Sequence, residues 1–262
     1  MTAPIIFDRK LYAARRRRAA RAGTESFLAR EVGESFVERL GAWNQRFSRA
    51  LDLGSRRESF PLLAPLAGHW IRTSAAGGET GETIVADEEA LPFAPESFDL
   101  VVSVLTLHAV NDLPGTLVQI RRALKPGGLF FAAMFGGSTL TELRRAFAAG
   151  EAEASGGASP RVAPLVDVRD AGALLQRAGF VMPVADVERI AVRYRAFSTL
   201  VDDLRAMGET NALSQRRRSM LPQRVLQASL AHYMEQDGGG DGRLHTTFDI
   251  LYLTGRAPGL NS

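Results

Sequence analysis

The 262-residue chain contains no cysteine, which excludes disulfides, thiolate zinc sites and cysteine nucleophiles. Its four histidines, His69, His108, His232 and His245, are scattered, and no two stand at the spacing that places metal ligands on one helix face. No metal site is expected. No run of about 18 apolar residues occurs, so no transmembrane helix is expected. No apolar signal core precedes the N-terminal charges, and a cytoplasmic protein is the expectation. A strong overall charge is also missing: the formal net charge is +3. The charge is unevenly placed. Residues 1–30 hold eight arginines and lysines against Asp8 and Glu25, so the rest of the chain is net acidic.

Apolar residues make up 45% of the chain, enough to build a buried core. Between Ser48 and Met134, short apolar runs are bounded by Asp, Gly or Pro. They are Ala50–Leu53, His69–Thr73, Thr83–Ala86, residues 99–105 and Leu129–Met134. Such runs suit strands buried on both faces of a parallel sheet. Turns or helices between them give the pattern of an open α/β sheet, whose ligands bind beyond the carboxyl ends of the strands. A helix around Leu113–Leu124 is expected to stop at Lys125-Pro126-Gly127-Gly128. The segment Ser74–Glu82 is too short and glycine-rich for a crossover helix. Pro61 and Pro65 keep the helix from about Phe60 to Leu66 short.

Two helices are expected ahead of this region. Residues 7–22 are rich in helix formers, with Asp8 as cap and Gly23 as stop. Arg15, Arg16, Arg17 and Arg18 fill one full turn of it. They form either a solvated basic face or a surface for an anionic partner such as an acidic protein or a membrane headgroup. Nucleic acid is not the expected partner, because no aromatic interleaving or recognition helix accompanies the charge. The second helix, 25–47, carries Phe27, Leu28, Val32, Phe36, Leu40 and Phe47 at three- and four-residue steps. After Gly136-Gly137, helical patterns around Leu143, Leu174, Leu204 and Leu230 surround a strand through Ile190, Val192 and Tyr194. A final strand covers Phe248–Thr254. The division expected is a basic helical arm or cover at 1–47 and a main domain at 48–262, with a helical insertion at about 140–245.

Several motifs then carry a resemblance. They are Asp87-Glu88-Glu89-Ala90-Leu91-Pro92-Phe93, Ser97-Phe98-Asp99-Leu100-Val101-Val102-Ser103, Val110-Asn111-Asp112-Leu113-Pro114 and Leu124-Lys125-Pro126-Gly127-Gly128. In order and spacing they resemble class I S-adenosylmethionine (SAM) dependent methyltransferases. The opening Phe7-Asp8-Arg9, the stretch Asp203 to Asn211 and the ending Thr247 to Gly255 resemble one branch more specifically: the methyltransferase-like assembly factor of respiratory complex I, an arginine hydroxylase in eukaryotes. The malonyl-carrier-protein methyltransferase of biotin synthesis is similar too. The resemblance covers nearly the whole chain. It implies a Rossmann-like, seven-stranded, mostly parallel sheet with helices on both faces, and SAM as cofactor. It also implies a protein substrate or assembly partner, such as a complex I subunit, at the inner face of a respiratory membrane. Cofactor contacts would fall on Asp52, Gly54, Asp87, Glu88 and Ser103, and His108 would be the proton acceptor or substrate contact.

The first loop departs from that family. Glycines are needed there because the backbone passes close to the nucleoside. Asp52 and Gly54 match Asp/Glu-x-Gly-x-Gly-x-Gly, but Arg56 and Glu58 stand at the next two glycine positions. Arg56 is expected either to swing out to solvent or to pair with Glu58. The second strand ends Ile71-Arg72-Thr73-Ser74, without the acid that would take the ribose hydroxyls. Asp87 is either the adenine-edge acid or a turn cap. Three readings follow: a SAM-dependent enzyme with a remodelled loop, a catalytically inactive scaffold of the same fold, and a basic adaptor unrelated to respiration. The C-terminal motifs argue against the third.

Overall fold

The structure, a computed structural model, describes residues 4–43, 45–77 and 83–259. Seven strands form one sheet in the order β3-β2-β1-β4-β5-β7-β6. They are β1 (Phe47–Leu53), β2 (Ala67–Thr73), β3 (Thr83–Ile84), β4 (Phe98–Val104), β5 (Leu124–Phe135), β6 (Val181–Tyr194) and β7 (Leu244–Arg256). The first five run parallel, while β7 lies antiparallel between β5 and β6. Eight α-helices are described: α1 (Arg9–Ala22), α2 (Phe27–Gly41), α3 (Phe60–Leu63), α4 (Leu113–Ala123), α5 (Thr141–Ser155), α6 (Val168–Arg177), α7 (Phe197–Met207) and α8 (Gln223–Asp237).

Period-two alternation splits the core in two. Leu129, Phe131, Ala133 and Phe135 of β5 face a cluster shared with Phe36 of α2, Leu143 of α5, Leu200 of α7 and Tyr233 of α8. Phe130, Ala132 and Met134 face the other side, with Leu117 and Ile120 of α4 and Leu175 of α6. The sheet is therefore covered on both faces, and β4 and β5 are central because nearly all their side chains are apolar and buried. A third, small cluster joins Phe7 and Tyr12 to Ala109, Ala212 and Leu213. It ties α1 to the loops at the carboxyl end of the sheet.

Local signals account for most helix ends. Asp8 accepts from the Leu11 N–H at 3.0 Å and Asp112 from the Gly115 N–H at 2.9 Å. Gly23, at φ 71°, ends α1 in the left-handed region. Some boundaries differ from those expected. The second helix stops at Gly41, and Phe47 opens β1. Lys125-Pro126-Gly127-Gly128 lies inside β5: pairing starts at Phe98↔Leu124 and resumes at Leu100↔Leu129 across a bulge, with Gly127 at φ 73°. The stretch 140–245 is not purely helical. It includes the 14-residue edge strand β6, which begins at Val181 rather than near Ile190 because β7 pairs with it along almost its whole length. The third strand shrinks to Thr83–Ile84. In the segment expected to lack a crossover helix, residues 74–77 are not helical, and residues 78–82 lie outside the described residues.

Helices α5 and α8 meet closely at Gly150. A Cβ there would lie 2.4 Å from both the backbone nitrogen and the Oγ of Ser229. Gly150→Ala is expected to cost about 1–3 kcal/mol by overpacking. Gly157→Ala, with open space around it, should stay within ~0.5 kcal/mol. Urea unfolding of the two variants checks the contrast.

Candidate functional site at the carboxyl end of the sheet

The expected cofactor positions come together at the carboxyl ends of β1, β2 and β4. Asp52, the penultimate residue of β1, is fully buried, beside Arg72 in the β1–β2 register. Gly54 follows at φ 72°, where a Cβ would come within 2.3 Å of the Thr106 side chain. Only glycine allows that approach. Ser103 is fully buried on β4 and donates its hydroxyl to the Leu53 carbonyl at 2.9 Å, so it links β4 to β1. Asp87 and Glu88 follow β3, and Asp87 also accepts from the Glu89 N–H at 3.0 Å. His108 stands in a single 3-10 turn, Leu107–Ala109, just past β4.

Arginines of the same chain occupy this region. Arg56 neither swings out nor pairs with Glu58; it is 4% exposed. Its guanidinium donates to the carbonyls of Val104, Leu105 and Met207 and forms an ion pair with Glu209 at 2.6 Å. Turned inward under the loop, it takes space that a glycine would leave open. Arg16 of α1, 5% exposed, donates to the Gly54 and Ser55 carbonyls at 3.3 and 3.1 Å and to Thr106 Oγ1 at 3.3 Å. Arg9 pairs with Asp87 at 2.8 Å and with Glu88, and donates to the Ala109 carbonyl at 3.0 Å. Arg17 donates to the Ala76 carbonyl at 2.6 Å. Arg72 donates to Ser55 Oγ and lies 3.8 Å over the Phe60 ring. Of the four consecutive arginines expected to form a solvated face or an anionic-partner surface, Arg16 and Arg17 are therefore committed to the protein's own loops.

Glu209, in the loop after α7, was not singled out by the sequence reading. It organises the centre of the site. Its Oε1 accepts from Arg56 and from the Tyr12 hydroxyl at 2.9 Å, and its Oε2 meets His108 Nε2 at 2.9 Å. Burial pushes its carboxyl up, but His108, Arg56 and Arg16 outweigh burial and hold it down to about 2. Burial and the Glu209 charge push the Tyr12 phenol well above its ordinary value. Asp87 is held below the usual carboxylate range: burial raises it, while the Glu89 N–H and Arg9 lower it by more. Next to this network lies a cavity of about 200 Å³, lined chiefly by apolar side chains such as Phe135, Leu143, Phe147, Leu204 and Phe248, and also by His108 and Glu209. Among the described residues no group of three or more histidines and acids could hold a metal ion.

Several positions that SAM would use are engaged by the chain's own side chains. The ligand brings a sulfonium cation and needs open backbone at the first loop, an acid for the ribose and an accessible acid at the adenine edge. The Gly54 and Ser55 carbonyls accept from Arg16, the glycine position after Gly54 carries buried Arg56, the second strand ends without an acid, and Asp87 and Glu88 pair with Arg9.

Comparison with known proteins agrees with the fold. Residues 67–132 match the family described as "Methyltransferase domain". The structure resembles the YcgJ protein of Bacillus subtilis at TM-score 0.59 and 14% identity, covering 86% of this chain and 98% of that one. It also resembles the cyclase SpnF at TM-score 0.52 and 17% identity, covering 88% and 82%. The fold is thus that of the methyltransferase class, a fold that also carries other chemistry. "Arginine-hydroxylase NDUFAF5, mitochondrial" of mouse is 39% identical over 95% of this chain and 77% of its own length, and the human protein is 38% identical over 95% and 76%. A malonyl-(acyl-carrier protein) O-methyltransferase of Xylella fastidiosa is 31% identical over 90% and 83%. Within the methyltransferase class, the chain belongs to the NDUFAF5 family. Among the described residues no helix is long and apolar enough to cross a membrane.

Glu209→Gln removes the counter-charge of buried Arg56 and is expected to cost about 3–5 kcal/mol. Arg56→Met combined with Glu209→Gln should recover much of that loss in a double-mutant cycle. The folded Glu209 carboxyl lies below its ordinary 4.5. Its contribution is therefore present in full above that value and is lost as pH falls toward about 2. Urea midpoints measured down that pH range should fall less steeply in the double variant.

Proposed function

We propose that this protein acts as a methyltransferase-fold binding partner in the assembly of a respiratory complex I subunit and does not transfer methyl groups from SAM. The observation that carries this reading is the occupation of the cofactor positions by Arg9, Arg16 and Arg56. Arg9 already pairs with Asp87 and Glu88, and Arg56 with Glu209, so a further cation in this region competes with guanidiniums for these acids. Membership of the NDUFAF5 family supports the assembly role. The exposed arginines that remain, among them Arg18, suit an acidic partner surface or the headgroups at the inner face of a respiratory membrane.

A second reading is favoured by the cavity beside His108. There a side chain of the partner would be modified, with His108 as proton acceptor, as the relatives' arginine-hydroxylase name suggests for them. Glu209 orients His108 in the way a carboxylate orients a catalytic imidazole.

Calorimetric titration with SAM and with S-adenosylhomocysteine tests the first reading. No heat of binding is expected up to ~1 mM ligand, a limit of about −4 kcal/mol. Micromolar binding that Asp87→Ala abolishes would overturn it.

A further inference from the structure

A groove of about 730 Å³ runs between α1 and α7, within the roughly 300–1,000 Å³ of small-ligand sites. Arg15, Arg18 and Ala22 stand at helical steps along one face of α1 and line one wall. Arg205 and Ala206 of α7 line the other. The alanines are short, so the space between the helices stays open. The spacing of the walls is fixed nearby at Gly208, φ 75°, where a Cβ would come within 3.0 Å of the Arg16 Cα.

The charge of this groove is not balanced. Its lining holds Arg15, Arg18 and Arg205 against Asp202 alone. Asp202 pairs with Arg205 at 3.1 Å, but both side chains are well exposed, and such a pair is held weakly in water. Among the described residues, Arg15 and Arg18 have no carboxylate at ion-pair distance. Asp8 attracts Arg15 from further off, but it is bonded to Arg216 at 3.2 Å. Burial first, then the Arg216 and Arg18 guanidiniums, pull the Arg15 guanidinium below its ordinary value. An anion in the groove would relieve that repulsion. Arg15 is half-buried in a concavity, which a flat layer of lipid headgroups does not enter, and among the described residues none of the exposed large apolar side chains that could insert into a bilayer lines the groove. The groove also adjoins the cavity beside His108: Val201 and Thr210 line both.

We propose that the groove between α1 and α7 seats a short acidic segment of the protein partner, with its carboxylates on Arg15 and Arg18, and so brings the neighbouring residue of that partner to the wall of the cavity. This rests on the reading above that the chain binds a protein partner. It names the chemistry of the segment recognised and the surface that recognises it.

The test is titration of the full chain with the acetylated, amidated tetrapeptides of glutamate, glutamine and lysine, followed by two-dimensional NMR of the methyl groups. Tetraglutamate should bind with a Kd on the order of 1 mM at ~20 mM salt and shift the Val201 methyls. Binding should weaken several-fold at ~300 mM salt. Tetraglutamine and tetralysine should not bind measurably. Arg15→Gln combined with Arg18→Gln, confirmed folded by thermal unfolding, should weaken tetraglutamate binding about tenfold. Arg30→Gln, at an exposed position on α2 outside the groove, should leave it unchanged. Sedimentation with vesicles of about 30% phosphatidylglycerol in phosphatidylcholine tests the lipid alternative, and the double variant should sediment as the unsubstituted chain does. No binding of tetraglutamate, no shift at Val201, or equal weakening by Arg30→Gln would overturn the proposal. Vesicle binding that the double variant abolishes would overturn it in favour of a lipid surface. The SAM titration is independent of this outcome: SAM binding would overturn the first reading of the site without touching the groove, and failure of tetraglutamate to bind would overturn the groove without touching that reading.

Discussion

The ion pair between Arg56 and Glu209 is the constraint from which the rest of the site follows. Both groups are buried, and neither tolerates burial alone. Arg56 is placed by the loop after β1, and Glu209 by the loop after α7, so the pair joins the amino-terminal half of the sheet to the segment between β6 and β7. Once Arg56 is turned inward, the Leu105 and Met207 carbonyls have a donor, Glu209 has a counter-charge, and Tyr12 and His108 are drawn to the same carboxylate. The network then fixes α1 over the end of the sheet, because Tyr12 and Arg16 lie on the same face of that helix.

The consequence is a division of the site into two parts with different character. Over β1, β2 and the Asp87 turn, arginines and acids neutralise each other. Beyond β4 and β5, the lining is chiefly apolar, with His108 and Glu209 at its inner end. A methyltransferase fold normally needs the first part open for its cofactor and the second for its acceptor. Here arginines of the chain itself pair with the acids and carbonyls of the first part. The cyclase SpnF shows that the same architecture serves chemistry other than methyl transfer.

Much of the fold was legible in the sequence because the central strands are short apolar runs ended by Asp, Gly or Pro, and such runs have few alternatives in a two-faced sheet. The edges were not. β6 has exposed and half-buried residues along nearly all its length, so its first half carries no burial signal until β7 pairs with it. The entry into β5 was hidden by Pro126 and Gly127, which read as a stop but form a bulge. The methyltransferase resemblance pointed to Asp52, Gly54, Asp87, Glu88, Ser103 and His108, and the structure brings these residues together at the carboxyl end of the sheet. Glu209 lay within the Asp203 to Asn211 stretch that carried the resemblance, but a single acid in a loop has no period to set it apart from its neighbours. Arg16 was hidden among four arginines. Its signal was the face Arg9, Tyr12, Arg16 and Ala19 at helical steps, with an aromatic among the charges, and that face is the one turned inward.

Hydrogen exchange of α1 and of the loop at residues 54–58, with and without ~1 mM S-adenosylhomocysteine, tests the central claim most directly. If the arginines of α1 and Arg56 close the cofactor region, both segments exchange slowly and the nucleoside changes neither. Rapid exchange of α1, or protection of the loop that appears only with S-adenosylhomocysteine, would show an open site and contradict the account.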